Sequence, residues 1–275
     1  MRYEDRLLRV LTYIHDNPDG DLSLDQLADV AAMSRFHWHR VFHAMTGETC
    51  AQVVRRMRLH RAAGRLVREQ TAVDEIAQNC GYPNPRSFAQ AFRASYGVSP
   101  IAFRKTGQLD APALLQRKGD IAMHPVEIRN HKPRRLIGLP HKGAYMAIGE
   151  KFESAAAMIA ARNLWDQCGP MIGVYFDDPD AVDESDLRSF AGVEWRGDQE
   201  PDGFESVDIR GGRTAVMTYK GPYATLKSGY DALYGVWLPQ SGETPADLPC
   251  YEVYLNDPRE TAPEDLLTDL CMPLA

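Results

Sequence analysis

The 275-residue sequence contains no apolar run approaching the ~20 residues that a membrane-spanning helix requires. Its opening segment, MRYEDRLLRVLTYIHDNPDGD, is too charged for the apolar centre of a secretory signal. The expected location is therefore cytoplasmic. Cysteine is scarce: the five residues Cys50, Cys80, Cys168, Cys250 and Cys271 form no CxxC pair. They read as reduced thiols, not as a disulfide or zinc framework. His124, His131 and His141 lack metal-ligand spacing. No GxGxxG or GxxxxGK[ST] loop is present to cradle a nucleotide phosphate. No cofactor and no metal are expected. With no Ser-His-Asp or Cys-His pattern for nucleophilic catalysis, the chain is not expected to be a conventional enzyme.

What is present is enough apolar sequence, 44% of residues, for a globular core, over a length that suggests two domains. The net charge of −7 conceals an asymmetry. Residues 30–109 hold 12 Lys and Arg against 4 Asp and Glu, whereas residues 111–275 hold 16 against 26. A basic unit inside an acidic chain points to a polyanion as the partner of that unit. A solvated surface that happens to be basic is the alternative.

In the basic part, Leu7, Leu8, Leu11 and Ile14 follow the spacing of an amphipathic helix over residues 4–16, which NPDGD ends. In LSLDQLADVAAMSRFHWHRVFHAMTG, Ser23 with Gln26 reads as a capping box for a helix reaching residue 31. Ser34 begins a second helix to about residue 45. Two short helices with so tight a joint make a helix-turn-helix. The arrangement recurs in TAVDEIAQNCGYPNPRSFAQAFRASYG, with helices at 72–79 and 85–96 and a turn at Gly81. Phe42 with Gly47 corresponds to Phe92 with Gly97. A helix over 52–68 bridges the two units. Its Arg58, Arg61, Arg65 and Arg68 share one face, and Leu59, Ala62, Ala63 and Leu66 another.

This duplication, closing with GVSPIAFRK, resembles the DNA-binding module of the AraC/XylS family over residues 5–106. The resemblance implies an all-α, homeodomain-like double helix-turn-helix. Its second helices would enter successive major-groove faces, reading two half-sites roughly 34 Å apart. Residues near the start of such a helix reach base edges: Arg35, Phe36, His39 and Arg40 in the first unit, and Arg86, Ser87 and Gln90 in the second. Arg pairs with guanine, and an aromatic edge touches a thymine methyl. Val41, Phe42, Phe88 and Phe92 are assigned to the core. His37 and Trp38 are assigned to core or phosphate contact ahead of base contact. Arg55, Arg56 and Arg93 are phosphate candidates. Pro83 and Pro85 make the second turn unusual.

The acidic part contains an internal repeat. RRLIGLPHKGAYMAIGEKFESAAAMI aligns with GRTAVMTYKGPYATLKSGYDALYGVW at a shift of 78, and GVYFDDP with EVYLNDP at a shift of 79. Each copy begins with a short β-rich run, VEIRNH or SVDIRGG, and then reads strand, Gly-rich turn, helix, strand, and a groove is expected between the copies. In YEVYL, Glu252 and Tyr254 point to one face while Tyr251, Val253 and Leu255 point to the other. The matching positions in the first copy are Gly173 and Tyr175, so the repeat is asymmetric, with Gly opposite Glu. A carboxylate flanked by tyrosines suits a cation, with the Gly leaving space for it. An exposed strand carboxylate, or one paired with a local Arg, is the alternative.

The repeat, with KGPY, LYGVWLPQSG and YEVYLNDP, resembles the GyrI-like domain and the C-terminal half of Rob-type regulators over residues 124–275. The resemblance implies a two-repeat α+β fold of β-α-β-type units. Its groove would bind lipophilic, often cationic, molecules, with Glu252 as the anionic contact. Tyr145 and Tyr223, after the Gly-rich turns, are further pocket-wall candidates. Trp195 and Trp237 line the groove or fill the core, Trp237 by preference the core.

The expected organisation is a DNA-binding domain over 1–108, a linker over 109–122 and a small-molecule-binding domain over 123–275. The expected function is a transcription regulator responding to a hydrophobic cationic effector. Its partners would be double-stranded promoter DNA and RNA polymerase, with no membrane, as a monomer or weak dimer. The alternative is a GyrI-like hydrolase acting on an electrophile through Glu252 with Tyr145 or Tyr223. A gyrase-binding role, as in stand-alone relatives of the domain, is a further alternative that the fused DNA-binding module argues against.

Overall fold

In the computed structural model, residues 2–106 and 124–275 are described, and the expected linker lies outside them. No helix among the described residues is long and apolar enough to cross a membrane. Seven helices come first: α1 (Tyr3–Asp16), α2 (Leu24–Ala31), α3 (Arg35–Thr46), α4 (Cys50–Arg68), α5 (Val73–Asn79), α6 (Pro85–Tyr96) and α7 (Pro100–Thr106). The chain divides into two compact units, and α3 is divided with it. Residues 36–45 belong with 124–275, while Arg35 and the other N-terminal helices form the first unit.

In the first unit, α4 contributes Leu59, Ala62, Ala63 and Leu66 to a core completed by Ile76 and Ala77 of α5, Phe88 and Phe92 of α6, and Phe103 of α7. Phe92 stacks on Tyr96 at 4.5 Å and meets Phe103 edge-on at 5.3 Å. Half of the expected capping box forms. Ser23 Oγ accepts from the Gln26 N–H, but the Ser23 N–H is already taken by the nearer Asp21 carboxylate. A full box starts α4, between Thr49 and Gln52. The two turns solve one backbone problem differently. After α5, Gly81 takes φ +78°, where a Cβ would lie 2.5 Å from the Pro18 carbonyl oxygen. After α2, Ala32 takes φ 51°, a left-handed conformation unfavourable for a residue with a Cβ.

The second unit is built on an eight-stranded antiparallel sheet: β1 (Val126–His131), β2 (Arg134–Lys142), β3 (Cys168–Tyr175), β4 (Arg188–Trp195), β5 (Glu205–Ile209), β6 (Gly212–Lys220), β7 (Cys250–Tyr254) and β8 (Leu267–Pro273). α8 (Gly149–Ala161) follows β2. Its counterpart after β6 is α9 (Leu226–Ala232), a π turn over Leu233–Trp237, and α10 (Leu238–Ser241). The strand order is β1-β6-β8-β7-β3-β4-β2-β5. Exchanging each strand for its counterpart in the other copy (β1 for β5, β2 for β6, β3 for β7, β4 for β8) gives the same order reversed. The duplication is therefore a pseudo-two-fold with β3 and β7 at its centre. Each copy has two strands, a helix and two strands, so the expected leading run, strand, helix and strand gain a closing strand, β4 in one copy and β8 in the other. The leading strand pairs with the other copy: β1 with β6, and β5 with β2.

Candidate functional site

The central pair sets the site. Gly173 of β3 stands directly opposite Glu252 of β7. Strand alternation sends Tyr251 and Val253 into the core with Ile172, Val174 and Phe190, and turns Glu252 and Tyr254 to the other face. Glu252 is only 4% exposed. Its Oε1 accepts from the Tyr230 hydroxyl at 3.1 Å and its Oε2 from the Tyr254 hydroxyl at 2.9 Å. Tyr254 has spent its one proton on the carboxylate, so the 2.8 Å contact with Tyr175 is donated by Tyr175. Burial raises the Glu252 pKa above the usual carboxylate range, against the tyrosine hydrogen bonds and the charge of Arg40.

The space over Gly173 is not open, contrary to expectation. A Cβ there would meet the Tyr175 and Tyr254 hydroxyls, each at 3.0 Å, so the glycine makes room for the tyrosine pair. Around it lie Tyr145 edge-on to Tyr175 (4.8 Å), Tyr223 edge-on to Tyr254 (5.3 Å) and Phe152 edge-on to Tyr254 (5.3 Å). The structure thus brings Tyr175, Tyr254, Tyr145 and Tyr223 together around Glu252. It does not bring Trp195. That residue, at the far end of β4, packs with Ile137, Ile159 and Val193 and donates its indole N–H to the Gln199 carbonyl.

The far side of the site is built by residues 36–45 of α3, within the second unit. The Arg40 guanidinium lies 5.3 Å from the Tyr230 ring centre and 5.7 Å from that of Tyr234, and donates to the Asp177 carbonyl oxygen at 2.9 Å. His39 Nδ1 donates to Asp178 at 2.7 Å, and both side chains are buried. Burial alone would raise the Asp178 pKa, but the His39 hydrogen bond and the Arg40 charge hold it at about 2. His37, 1% exposed, reaches the Ala246 carbonyl through Nε2 and the Tyr234 hydroxyl through Nδ1, both at 2.7 Å. The carbonyl can only accept, so Nε2 carries the proton and Tyr234 donates to Nδ1. Burial and the neighbouring Arg40 push the His37 pKa down to about 4, in keeping with that neutral ring.

The DNA-reading candidates therefore divide. His39 and Arg40 are engaged inside the second unit, and Phe36 is half-buried there. The cause lies on α3 itself. Its polar side chains at 37, 39 and 40 spread over about half of the helix circumference, and each finds a hydroxyl, carboxylate or carbonyl partner. Arg35, Arg86, Ser87 and Gln90 are exposed in the first unit. Asn84 caps α6 by accepting from the Arg86 and Ser87 amides, and the Ser87 hydroxyl returns to the Asn84 carbonyl. Among the phosphate candidates Arg55 and Arg93 are exposed, whereas Arg56 is paired with Glu48 at 2.9 Å. The arginine stripe of α4 is largely structural. Arg58 donates to the Pro18 carbonyl and Arg61 to that of His15, and Arg65 pairs with Glu69.

Sequence reasoning missed Tyr230, Tyr234, Asp177 and Asp178. The last two had a readable signal. The second copy reads NDPR, in which Arg259 pairs with Asp257. The first copy reads DDPD, with Asp180 in the place of that arginine. Acids without a local arginine must find a hydrogen-bond donor elsewhere. His39 serves Asp178, and His43 and Lys227 serve Asp180. Among the described residues, no cluster of three or more His, Cys, Asp or Glu is arranged to hold a metal ion.

Comparison with known proteins fits this geometry to two families. Residues 124–275 match the model of the GyrI-like small molecule binding domain, and residues 27–106 match a helix-turn-helix domain. The probable transcriptional regulator LumQ of Photobacterium leiognathi is 33% identical over 102 residues, covering 36% of this chain and 41% of LumQ. The HTH-type transcriptional activator AarP of Providencia stuartii is 33% identical over 95 residues, covering 34% of this chain and 70% of AarP. The solved DNA-binding domain of AdpA, in complex with a target DNA, is 30% identical with a TM-score of 0.35, covering 36% of this chain and 90% of that one. The chain spans less than half the length of LumQ.

Proposed function

The chain belongs to the family of GyrI-like small molecule binding domains, with an AraC-type helix-turn-helix region ahead of that domain, and on that premise we propose that it is a DNA-binding transcription regulator controlled by a hydrophobic cation held at Glu252. The observation that carries the ligand reading is the buried Glu252 carboxylate inside a ring of tyrosines. A buried charge is costly without a partner, and aromatic faces add attraction for a cation. The DNA reading rests on the duplicated helix-turn-helix, the likeness to LumQ and AarP, and the exposed Arg35, Arg86, Ser87 and Gln90. RNA polymerase is the further partner that such a regulator implies. The hydrolase reading asks Tyr145 or Tyr223 to act with Glu252. The Tyr145 hydroxyl bonds the Asp177 backbone at both its N–H and its C=O, and burial raises its pKa to about 12, which suits packing better than proton transfer. Burial and the Glu252 charge raise the Tyr223 pKa as well.

Selection of bound sites from a random-sequence DNA library, with and without lipophilic cations, tests the proposal. A bipartite site with halves about ten base pairs apart, and an affinity that shifts with a cation in the wild type but not in Glu252→Gln, is the expected result. Weak binding without sequence preference would overturn the DNA reading. A cation response that survives Glu252→Gln would overturn the ligand reading.

A further inference from the structure

The ring of aromatic side chains beside Glu252 already holds a cation, and that cation belongs to the chain. Arg40 presents its guanidinium to the faces of Tyr230 and Tyr234, and Tyr230 in turn donates to Glu252. The guanidinium also donates to the Asp177 carbonyl, beside the buried Asp178. Two ring faces, a carbonyl acceptor and nearby carboxylates are what a planar, weakly hydrated cation needs. The flanking contacts of His37 and His39 hold residues 36–45 in register for this one insertion.

We propose that the cage formed by Tyr230, Tyr234, the Asp177 carbonyl and Glu252 is a guanidinium-recognising site with Arg40 as its internal occupant, for which ligands bearing a guanidinium or amidinium group compete. This rests on the cation-binding reading of Glu252 and adds the headgroup class and the competitor. Arg40 is also a candidate base contact, and one side chain cannot fill the cage and reach a base together. Ligand entry therefore frees residues 36–45, and the ligand and operator DNA strengthen each other's binding by an equal factor, as linkage requires. The cost of displacing Arg40 lowers the ligand's apparent affinity by the fraction of molecules whose cage is vacant.

The test titrates phenylguanidinium into the full chain by calorimetry and follows amide hydrogen exchange over residues 36–45. Arg40→Met keeps the aliphatic stem and removes the charge. It is expected to bind the probe at least about ten-fold more tightly than the wild type, and Arg40→Lys to return toward the wild-type value. Asp178→Asn loosens α3 through His39 while leaving the rings in place. It should also tighten binding, which guards against a folding defect peculiar to Arg40→Met. In the wild type, saturating probe should speed exchange over 36–45. Equal affinities across these variants with unchanged exchange would overturn the competition, and loss of binding in Glu252→Gln would then leave the cation reading standing. No binding to any variant would overturn both.

Discussion

Replacing Gly173 by Ala tests whether the tyrosine pair over the central strands is a packed device or a loose one. The backbone of Gly173 lies outside the positive-φ region, so the added methyl meets only a steric problem. The Tyr175 hydroxyl and ring edge and the Tyr254 hydroxyl would each lie 3.0 Å from it, so both side chains must give by a few tenths of an ångström. Moving them stretches the 2.8 Å bond between them and the 2.9 Å bond to Glu252. Overpacking a tight site costs about 1–3 kcal/mol. Weakening a hydrogen bond to a buried carboxylate adds up to about 1.5–3 kcal/mol. Against these, Gly→Ala restricts the unfolded chain and returns about 0.4–1 kcal/mol. The net expectation is destabilisation by about 2 kcal/mol, read as a lower urea midpoint at unchanged slope. The internal control is Gly64→Ala. That glycine lies within α4 with no atom inside 4 Å of its would-be Cβ, so the substitution should stabilise by up to about 1 kcal/mol. Gly173→Ala as stable as the wild type would mean that the tyrosines swing aside freely, and the account of why a glycine faces Glu252 would fail.

Lowering the pH should release α3. His37 is held neutral with its pKa lowered to about 4 from an ordinary 6.5, so the released helix binds the extra proton; docking is fully favoured above pH 6.5 and weakens as pH falls toward 4, by up to about 3 kcal/mol. Amide exchange over 36–45 should therefore accelerate through that window, and a flat profile would refute it. Asp178, with its pKa lowered to about 2, adds a second loss only below about pH 4. Ala32→Gly should stabilise the chain by about 0.5 kcal/mol in urea unfolding, because relief of the left-handed alanine outweighs the added freedom of the unfolded chain; a loss of stability would show that this turn carries no strain.

Much of the fold is legible in the sequence wherever the signal is local. The apolar spacing of α1 and α4, the repeated helix pairs and Gly81 place α1 to α6 within a residue or two, while α7 has no counterpart among the expected helices. The shift of 78–79 residues reveals the repeat, and period-two alternation in YEVYL turns Glu252 and Tyr254 to a common face. The exchange of β1 and β5 between the copies is not legible. It is a pairing across some eighty residues, and nothing in VEIRNH or SVDIRGG names its partner. The engagement of Arg40 is hidden for a different reason. On α3, His39 and Arg40 read as outward, because polarity reports a need for partners and not whether water or protein supplies them. Trp195 misled in the opposite way: it shares a sheet face with Tyr175, but the distance along β4 separates them.

The repeat is broken where the chemistry is concentrated, and the breaks are physically required. A faithful copy would set either two glycines or two glutamates opposite each other at the centre of the sheet. Two glycines would leave no carboxylate for the tyrosines to bond. Two buried glutamates, directly opposed on neighbouring strands, would lie about 5 Å apart, and their repulsion would force one to hold a proton. Glycine opposite Glu252 keeps one carboxylate and makes room for the two tyrosines that solvate it. The second break, DDPD against NDPR, removes the local arginine from one copy only, and that copy is the one that receives His39 and Arg40. The third is the π turn carrying Tyr234 in place of continuous α-helix, a distortion that tends to mark functional positions. A pseudo-symmetric sheet thus supplies the frame, and three local departures from its symmetry gather one carboxylate, its tyrosines and Arg40, the arrangement on which the proposed cation site rests.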